Sequence, residues 1–192
     1  MAADIYEDLT QICLETYDSG EIPAAEEMLN RMMDHPDVPM HFPYLHFIMP
    51  AAHLTLSAME AGKSREELEK MLKEAKKRSL SVPGGFCGLF GSCGAGVGAG
   101  IFMSVYTKTT PKSGQTWEWC NELTGQCLQK LASAGGPRCC KRTSYLSVSA
   151  SVPFINEKLG LHLRNSDKVL CKYHDRNAEC IKQACPFYPE GK

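Results

Sequence analysis

The stretch FPYLHFIMPAAHLTLSAMEA, Phe42 to Ala61, holds no Asp, Glu, Lys or Arg until Glu60 and is apolar on nearly every face. A helix that is hydrophobic all round belongs among other helices. The stretch therefore predicts a central buried helix, with Pro50 as the place for a kink. The sequence on either side supplies what would surround it. Ile5, Leu9, Ile12, Cys13 and Thr16 fall on one stripe of a first helix that Ser19-Gly20 closes. Pro23 suits the first turn of a second helix, which buries Ala24, Met28, Leu29 and Met32 and stops at His35-Pro36.

Downstream, Ser64-Arg65-Glu66-Glu67 reads as a capping box. It opens a helix with Leu68, Met71, Leu72 and Ala75 inside, and Lys73, Lys76, Lys77 and Arg78 on its solvated face. Further helices are expected from about Cys93 to Tyr106, from about Gln115 to Ala134, and from about Cys140 to Leu159. Pro153 kinks or divides the last of these, and Gly160 stops it. No run alternates apolar and polar residues with period two. The expected architecture is one all-α domain spanning 1–192, a helical bundle over 1–165 with a cysteine-bearing tail over 166–192 packed back on it.

Charge narrows the partners. Lys and Arg number 21 against 22 Asp and Glu, a net charge of -1, which argues against nucleic acid and against a polybasic membrane surface. The start, MAADIYEDLT, is acidic and lacks the basic and apolar regions of a secretory signal, so a cytoplasmic protein is expected. Val38 to Met59 and Ser79 to Thr107 also lack charge, but prolines break the first and glycines fill the second. Neither reads as a membrane span. The spacing of Gly96 and Gly100 fits close backbone approach inside a soluble core as well as it fits a membrane packing face.

Ten cysteines are the outlier. In a cytosol such thiols stay reduced and serve metals or redox chemistry more often than disulfides. Cys13, Cys120 and Cys127 fall on helix faces and read as core residues. The other seven sit in turns or at helix starts. Cys87 and Cys93 lie six apart in a glycine-rich turn, and Cys139-Cys140 follow Gly136-Pro137-Arg138 at a helix N-terminus. Cys171, Cys180 and Cys185-Pro186 come from the tail. The helix end and the cations Arg138, Lys141 and Arg142 would favour thiolates at the Cys139-Cys140 pair.

Three chemistries compete. An iron–sulfur cluster, [4Fe–4S] in its commonest Cys-ligated form, needs four thiolates, and a Cys before Pro is a frequent last ligand. The three tail cysteines plus one of the adjacent pair would complete it, with Cys87 and Cys93 at a second site or facing the first. Zinc is the alternative, through Cys171, His174, Cys180 and Cys185, a loose set without a CxxC knuckle. Metal-free redox at Cys139-Cys140 is weaker, because vicinal thiols form only a strained disulfide.

Of His41, His46 and His53, the last two share a helix face and read first as core histidines, His46 being the stronger candidate for a chemical role. Gly96-x-Gly98-x-Gly100 lacks the preceding strand and following acid of a dinucleotide fingerprint. The working assignment takes Cys140, Cys171, Cys180 and Cys185 as metal ligands and Cys87, Cys93, Cys139 and His46 as catalytic groups. Arg138, Lys141 and Arg142 would hold a small anionic or sulfur-containing substrate.

The run His41 to Ala51, the Gly84 to Ala95 turn, Gly136 to Arg142 and the closing Cys185-Pro-Phe-Tyr188 together resemble a cysteine-rich domain family without an established activity. The family occurs in anaerobic bacteria and archaea, alone or joined to an adenosylmethionine-dependent methyltransferase domain. The resemblance covers most of the chain from about Val38. It implies an anaerobic cytosolic setting suited to an oxygen-sensitive cluster, and it implies the same seven cysteines as the functional ones. It does not require a histidine at position 174, and it suggests a separate methyltransferase protein as a partner.

Overall fold

The chargeless stretch organises the packing, as its composition requires. A computed structural model describes residues 4–189. Eight α-helices follow one another: α1 (Ile5–Asp18), α2 (Ala25–Met33), α3 (Tyr44–Glu60), α4 (Arg65–Ser79), α5 (Phe86–Leu89), α6 (Gly94–Tyr106), α7 (Gln115–Ser133) and α8 (Cys140–Leu159). There is no strand among the described residues. The fold is the all-α bundle expected. Helix α3 is its axis, in contact with α1, α2, α4, α6 and α8, and every residue from Phe47 to Ala58 is buried.

Local chemistry sets the helix ends. Asp4 caps α1 by accepting the Tyr6 N–H at 3.1 Å. The capping box of α4 is complete, with Ser64 Oγ accepting the Glu67 N–H at 3.2 Å and Glu67 accepting the Ser64 N–H at 2.9 Å. Gly160 ends α8 at φ +65°.

Pro50 sits inside α3 and leaves the carbonyl of His46 without its helical partner. Ser79 Oγ, from α4, donates to that oxygen at 3.3 Å. Helix α6 closes in from the other side, and a Cβ on Gly98 would lie 2.8 Å from Met49 Cβ and 3.2 Å from the same carbonyl. The Gly96/Gly100 spacing likewise serves a close approach between α6 and α7, since a Cβ on Gly100 would meet Thr124 Oγ1 at 2.1 Å. Among the described residues no helix is long and apolar enough to cross a membrane.

Three details differ from the sequence reading. Pro23 precedes α2 instead of entering it, α8 runs unbroken through an exposed Pro153, and the glycine-rich turn contains the short helix α5. Regular helix ends at Leu159; from Gly160 to Pro189 the only regular elements are two 3₁₀ turns, His174–Arg176 and Lys182–Ala184. Hydrogen bonds fasten this segment to the bundle. Leu163 exchanges two with Asn156, and Ala25 N–H donates to Arg164 O at 2.8 Å. Buried Glu26 accepts the Ser166 N–H at 2.7 Å. The chain then returns to the start of α8, where the thiols gather.

Candidate functional site

Both thiol groups are built around the first turn of α8. Arg142 donates to Gly135 O at 2.8 Å and Pro137 O at 2.6 Å, tying down the turn that leads into the helix. Cys139 is the N-cap in extended conformation (φ -146°, ψ 104°), and Cys140 is the first helical residue. That change of backbone at one peptide bond sends the two side chains to opposite sides.

Cys139 joins the tail. With Cys171, Cys180 and Cys185 it lines a small cavity walled by Tyr145, Tyr173 and Phe187. About 370 Å³ of empty space, partly open to solvent, lies among the lining atoms. Donors point at the sulfurs. Cys139 Sγ accepts from the Arg142 N–H and from Asn177 Nδ2, each at 3.5 Å, and Cys180 Sγ accepts from the Lys182 N–H at 3.4 Å. The Tyr173 N–H faces the Cys171 thiol. Lys182 adopts φ +48°, a left-handed conformation costly for a side-chain-bearing residue, in the turn that presents its N–H to Cys180.

Burial raises the Cys139 and Cys171 thiols above the ordinary range, and these N–H donors oppose it. Tyr145 and Tyr173 anchor the wall from behind: Tyr145 OH donates to Asn30, and Tyr173 OH donates to Asp34 at 2.8 Å. Among the described residues no three His, Cys, Asp or Glu side chains are grouped so as to hold one metal ion. The four thiols frame the cavity without meeting at a point.

Cys140 faces the other way, into a wider groove of about 980 Å³, open to solvent and shared with Cys87, His41, His46 and Arg138. Burial pushes the Cys140 thiol up to about 11, and the nearby Cys93, Cys139 and Cys87 add to the shift. Cys93, the N-cap of α6, packs against the core beside this groove. His46 Nδ1 donates to Val82 O at 3.1 Å, which leaves Nε2 as the unprotonated nitrogen. Burial lowers the pKa of the ring and so favours the neutral form. The ring lies where a side chain at Gly94 would be, since a Cβ there would stand 2.0 Å from His46 Cδ2.

The working assignment is therefore rearranged at four positions. Cys139, not Cys140, stands with the tail thiols, and Cys140 stands with Cys87. Lys141, expected to meet a substrate, is 0% exposed: its ammonium donates to Met33 O at 3.4 Å and lies 4.9 Å from the Tyr173 ring centroid. Arg142 is 4% exposed and spends its guanidinium on the turn. Arg138 alone of the three faces solvent, in a long 3.8 Å pair with Glu179. His174 does line the tail cavity, with Nδ1 2.7 Å from Asp175. His53 is a core residue, its Nε2 2.7 Å from Ser151 Oγ.

Sequence reasoning passed over Asn177 and His41 as partners. His41 Nε2 bonds Asn177 Oδ1 at 3.2 Å, and Asn177 passes the link to Cys139 Sγ, so one side-chain bridge joins groove and cavity. The only signal in the sequence is the polar Asn177 between Cys171 and Cys180.

Residues 9–188 match the model of a family described as a family of unknown function (DUF5714). All ten cysteines fall within the matched span. No curated protein and no solved structure matches the chain.

Proposed function

Because the chain belongs to the family of unknown function DUF5714, we propose from the site itself that it binds an iron–sulfur cluster and carries out redox or sulfur-transfer chemistry on a small anionic substrate. The observation that carries this reading is the framed cavity: Cys139, Cys171, Cys180 and Cys185 line one small space, with N–H donors on Cys139 and Cys180. Four thiolates are the usual ligand set of a [4Fe–4S] centre, and hydrogen bonds to the sulfurs help to set its potential. When bound, such a centre supplies one-electron transfer.

The donor set fits the group in two respects. Thiols that frame a cavity suit a body with several metal corners, whereas a single tetrahedral zinc needs all its sulfurs about 2.3 Å from one point. Buried Arg142 and Lys141, beside Cys139, offset negative charge gathered on the sulfurs. The tyrosine wall and the aromatic face of Phe187 screen one side of them from water.

The groove is where a substrate would enter. Arg138 offers the one solvent-facing cation of the expected three, and His46 Nε2 can take a proton from a thiol. A second reading has one observation of its own. His174 shares the cavity with Cys171, Cys180 and Cys185, so a structural zinc could staple the tail of a non-catalytic interaction module, with a methyltransferase as its partner.

Iron, zinc and acid-labile sulfide, measured with a visible spectrum after strictly anaerobic purification, separate the two. About four irons and four sulfides per chain are expected, the content of a [4Fe–4S] centre. About one zinc and no sulfide would overturn the cluster and leave the interaction module.

A further inference from the structure

We propose that Cys87 and Cys140 form a two-thiol exchange pair that reduces a low-molecular-weight disulfide in the groove, with Cys87 carried on a glycine-hinged flap. The proposal deepens the redox reading above and rests on it only for the return of electrons. Its basis is how differently the two thiols are mounted. Cys140 belongs to the first turn of a 20-residue helix packed on α2, α3, α6 and α7. Cys87 belongs to the four-residue α5, none of whose residues is buried and against which no other helix packs extensively.

The flap has hinges at both ends. Gly84-Gly85 precede it, with Gly85 at φ +78°, and Gly91 follows at φ +68°. Leu89 and Phe90 on its outer side are 78% and 66% exposed, so the flap is not pinned by burial. Exchange needs this asymmetry. One thiol must first reach a substrate and then turn to meet the other within the narrow span that a disulfide allows. Glycine hinges permit that turn.

The atoms of the exchange balance between the two thiols and the substrate. The Cys87 sulfur attacks one sulfur of the substrate RS–SR. A Cys87–SR bond forms, the substrate S–S bond breaks, and one RS⁻ leaves and takes up the proton that Cys87 gave to His46 Nε2. The Cys140 sulfur then attacks the Cys87 sulfur. The Cys87–Cys140 bond forms, the Cys87–SR bond breaks, and the second RS⁻ leaves with the proton from Cys140. Two electrons pass from the protein thiols to the substrate, giving two RSH and one protein disulfide. Two electrons and two protons restore the dithiol, supplied by a one-electron carrier protein; a cluster held by Cys139 and the tail thiols, beside Cys140 in the chain, would hand the electrons on singly. Arg138 beside the pair favours a disulfide bearing a carboxylate or similar anion.

The test uses the anaerobically purified full chain and 5,5′-dithiobis(2-nitrobenzoate), an anionic aromatic disulfide, as the probe. Wild type and a Cys120→Ser control should release two nitrothiobenzoates per reagent consumed and yield a Cys87–Cys140 linked peptide by mass spectrometry. Cys140→Ser should stop at one, with the aryl thiol trapped on Cys87. Cys87→Ala, on the exposed flap where folding is not at risk, should yield no intramolecular link to Cys140. A wild-type protein without that link, or a Cys140→Ser protein that still releases two per reagent, would overturn the proposal. Iron and sulfide on the same samples separate the two readings. Their absence from wild type would sink the cluster, while the linked peptide would still report on the pair.

Discussion

Cys139 and Cys140 are one peptide bond apart and serve two unlike places. The cavity on the Cys139 side is small, walled by aromatic rings, drawn from distant parts of the chain, and furnished with N–H donors aimed at sulfur. The groove on the Cys140 side is open, bordered by a loosely held flap and equipped with an unprotonated ring nitrogen. Holding a group fast requires satisfied, rigid sulfurs, and exchanging one requires reach and a proton acceptor. A single helix start provides both because its N-cap is extended and its next residue is helical.

The largest expected effect separates the sides by how each depends on metal. Residues 160–189 hold no α-helix, so a metal centre bound to the cavity thiols would be a main fastening of the segment's far end. Removing metal with an oxidant and chelator should raise protease cleavage between positions 176 and 185 by roughly tenfold or more, as expected when a local unit opens. The α1–α8 bundle should survive. A segment equally protected with and without metal would break the distinction.

Next in size is Gly94→Ala. The new Cβ would sit 2.0 Å from His46 Cδ2 and 2.3 Å from Nε2, so the ring must leave the groove or α6 must shift away from α3. A cost of about 2–3 kcal/mol is expected from overpacking, measured by urea unfolding, together with slower thiol exchange and unchanged iron. Loss of iron in this variant would show that the two sites are one.

A buried histidine away from both sites gives the background against which these changes are read. His53 is fully buried with its pKa lowered to about 3 by burial, against an ordinary 6.5. Between those values the unfolded chain takes up the proton and the folded chain does not. The contribution is complete above about pH 6.5 and falls by about 1.4 kcal/mol per unit as pH drops below it, or about 2 kcal/mol by pH 5. Unfolding curves at pH 7.5 and 5 should show this slope, and His53→Gln should flatten it. A wild-type slope indistinguishable from that variant's would contradict the assignment.

The smallest effects are opposite in sign. Each side has a left-handed backbone position, Lys182 by the cavity and Gly85 at the flap. Lys182→Gly should stabilise by about 1 kcal/mol and Gly85→Ala should destabilise by about as much, read as shifts in midpoint. Shifts of the same sign would contradict one of the two assignments, Lys182 if both variants lose stability and Gly85 if both gain it.

Much of the scaffold was legible. The chargeless Phe42–Ala61 run, the Ser64/Glu67 box and Gly160 are local signals with local causes, and each became the element it predicts. The short helix α5 was not, because four residues among glycines carry no period. The division of Cys139 from Cys140 was also hidden, since adjacency in sequence says nothing of which backbone conformation each residue takes. Lys141 and Arg142 misled for a general reason. Cations beside a turn read as solvent-facing, but here a tyrosine face and unpaired carbonyls receive them inside. Which thiols converge depends on the tail's return path, set by contacts such as Glu26 with Ser166 that no spacing encodes.

The most direct test of the account is the iron and sulfide content of Cys139→Ser and Cys140→Ser, purified anaerobically side by side with wild type. The account predicts that Cys139→Ser loses its iron and its visible absorption while Cys140→Ser keeps both. Iron retained by Cys139→Ser and lost from Cys140→Ser would contradict it.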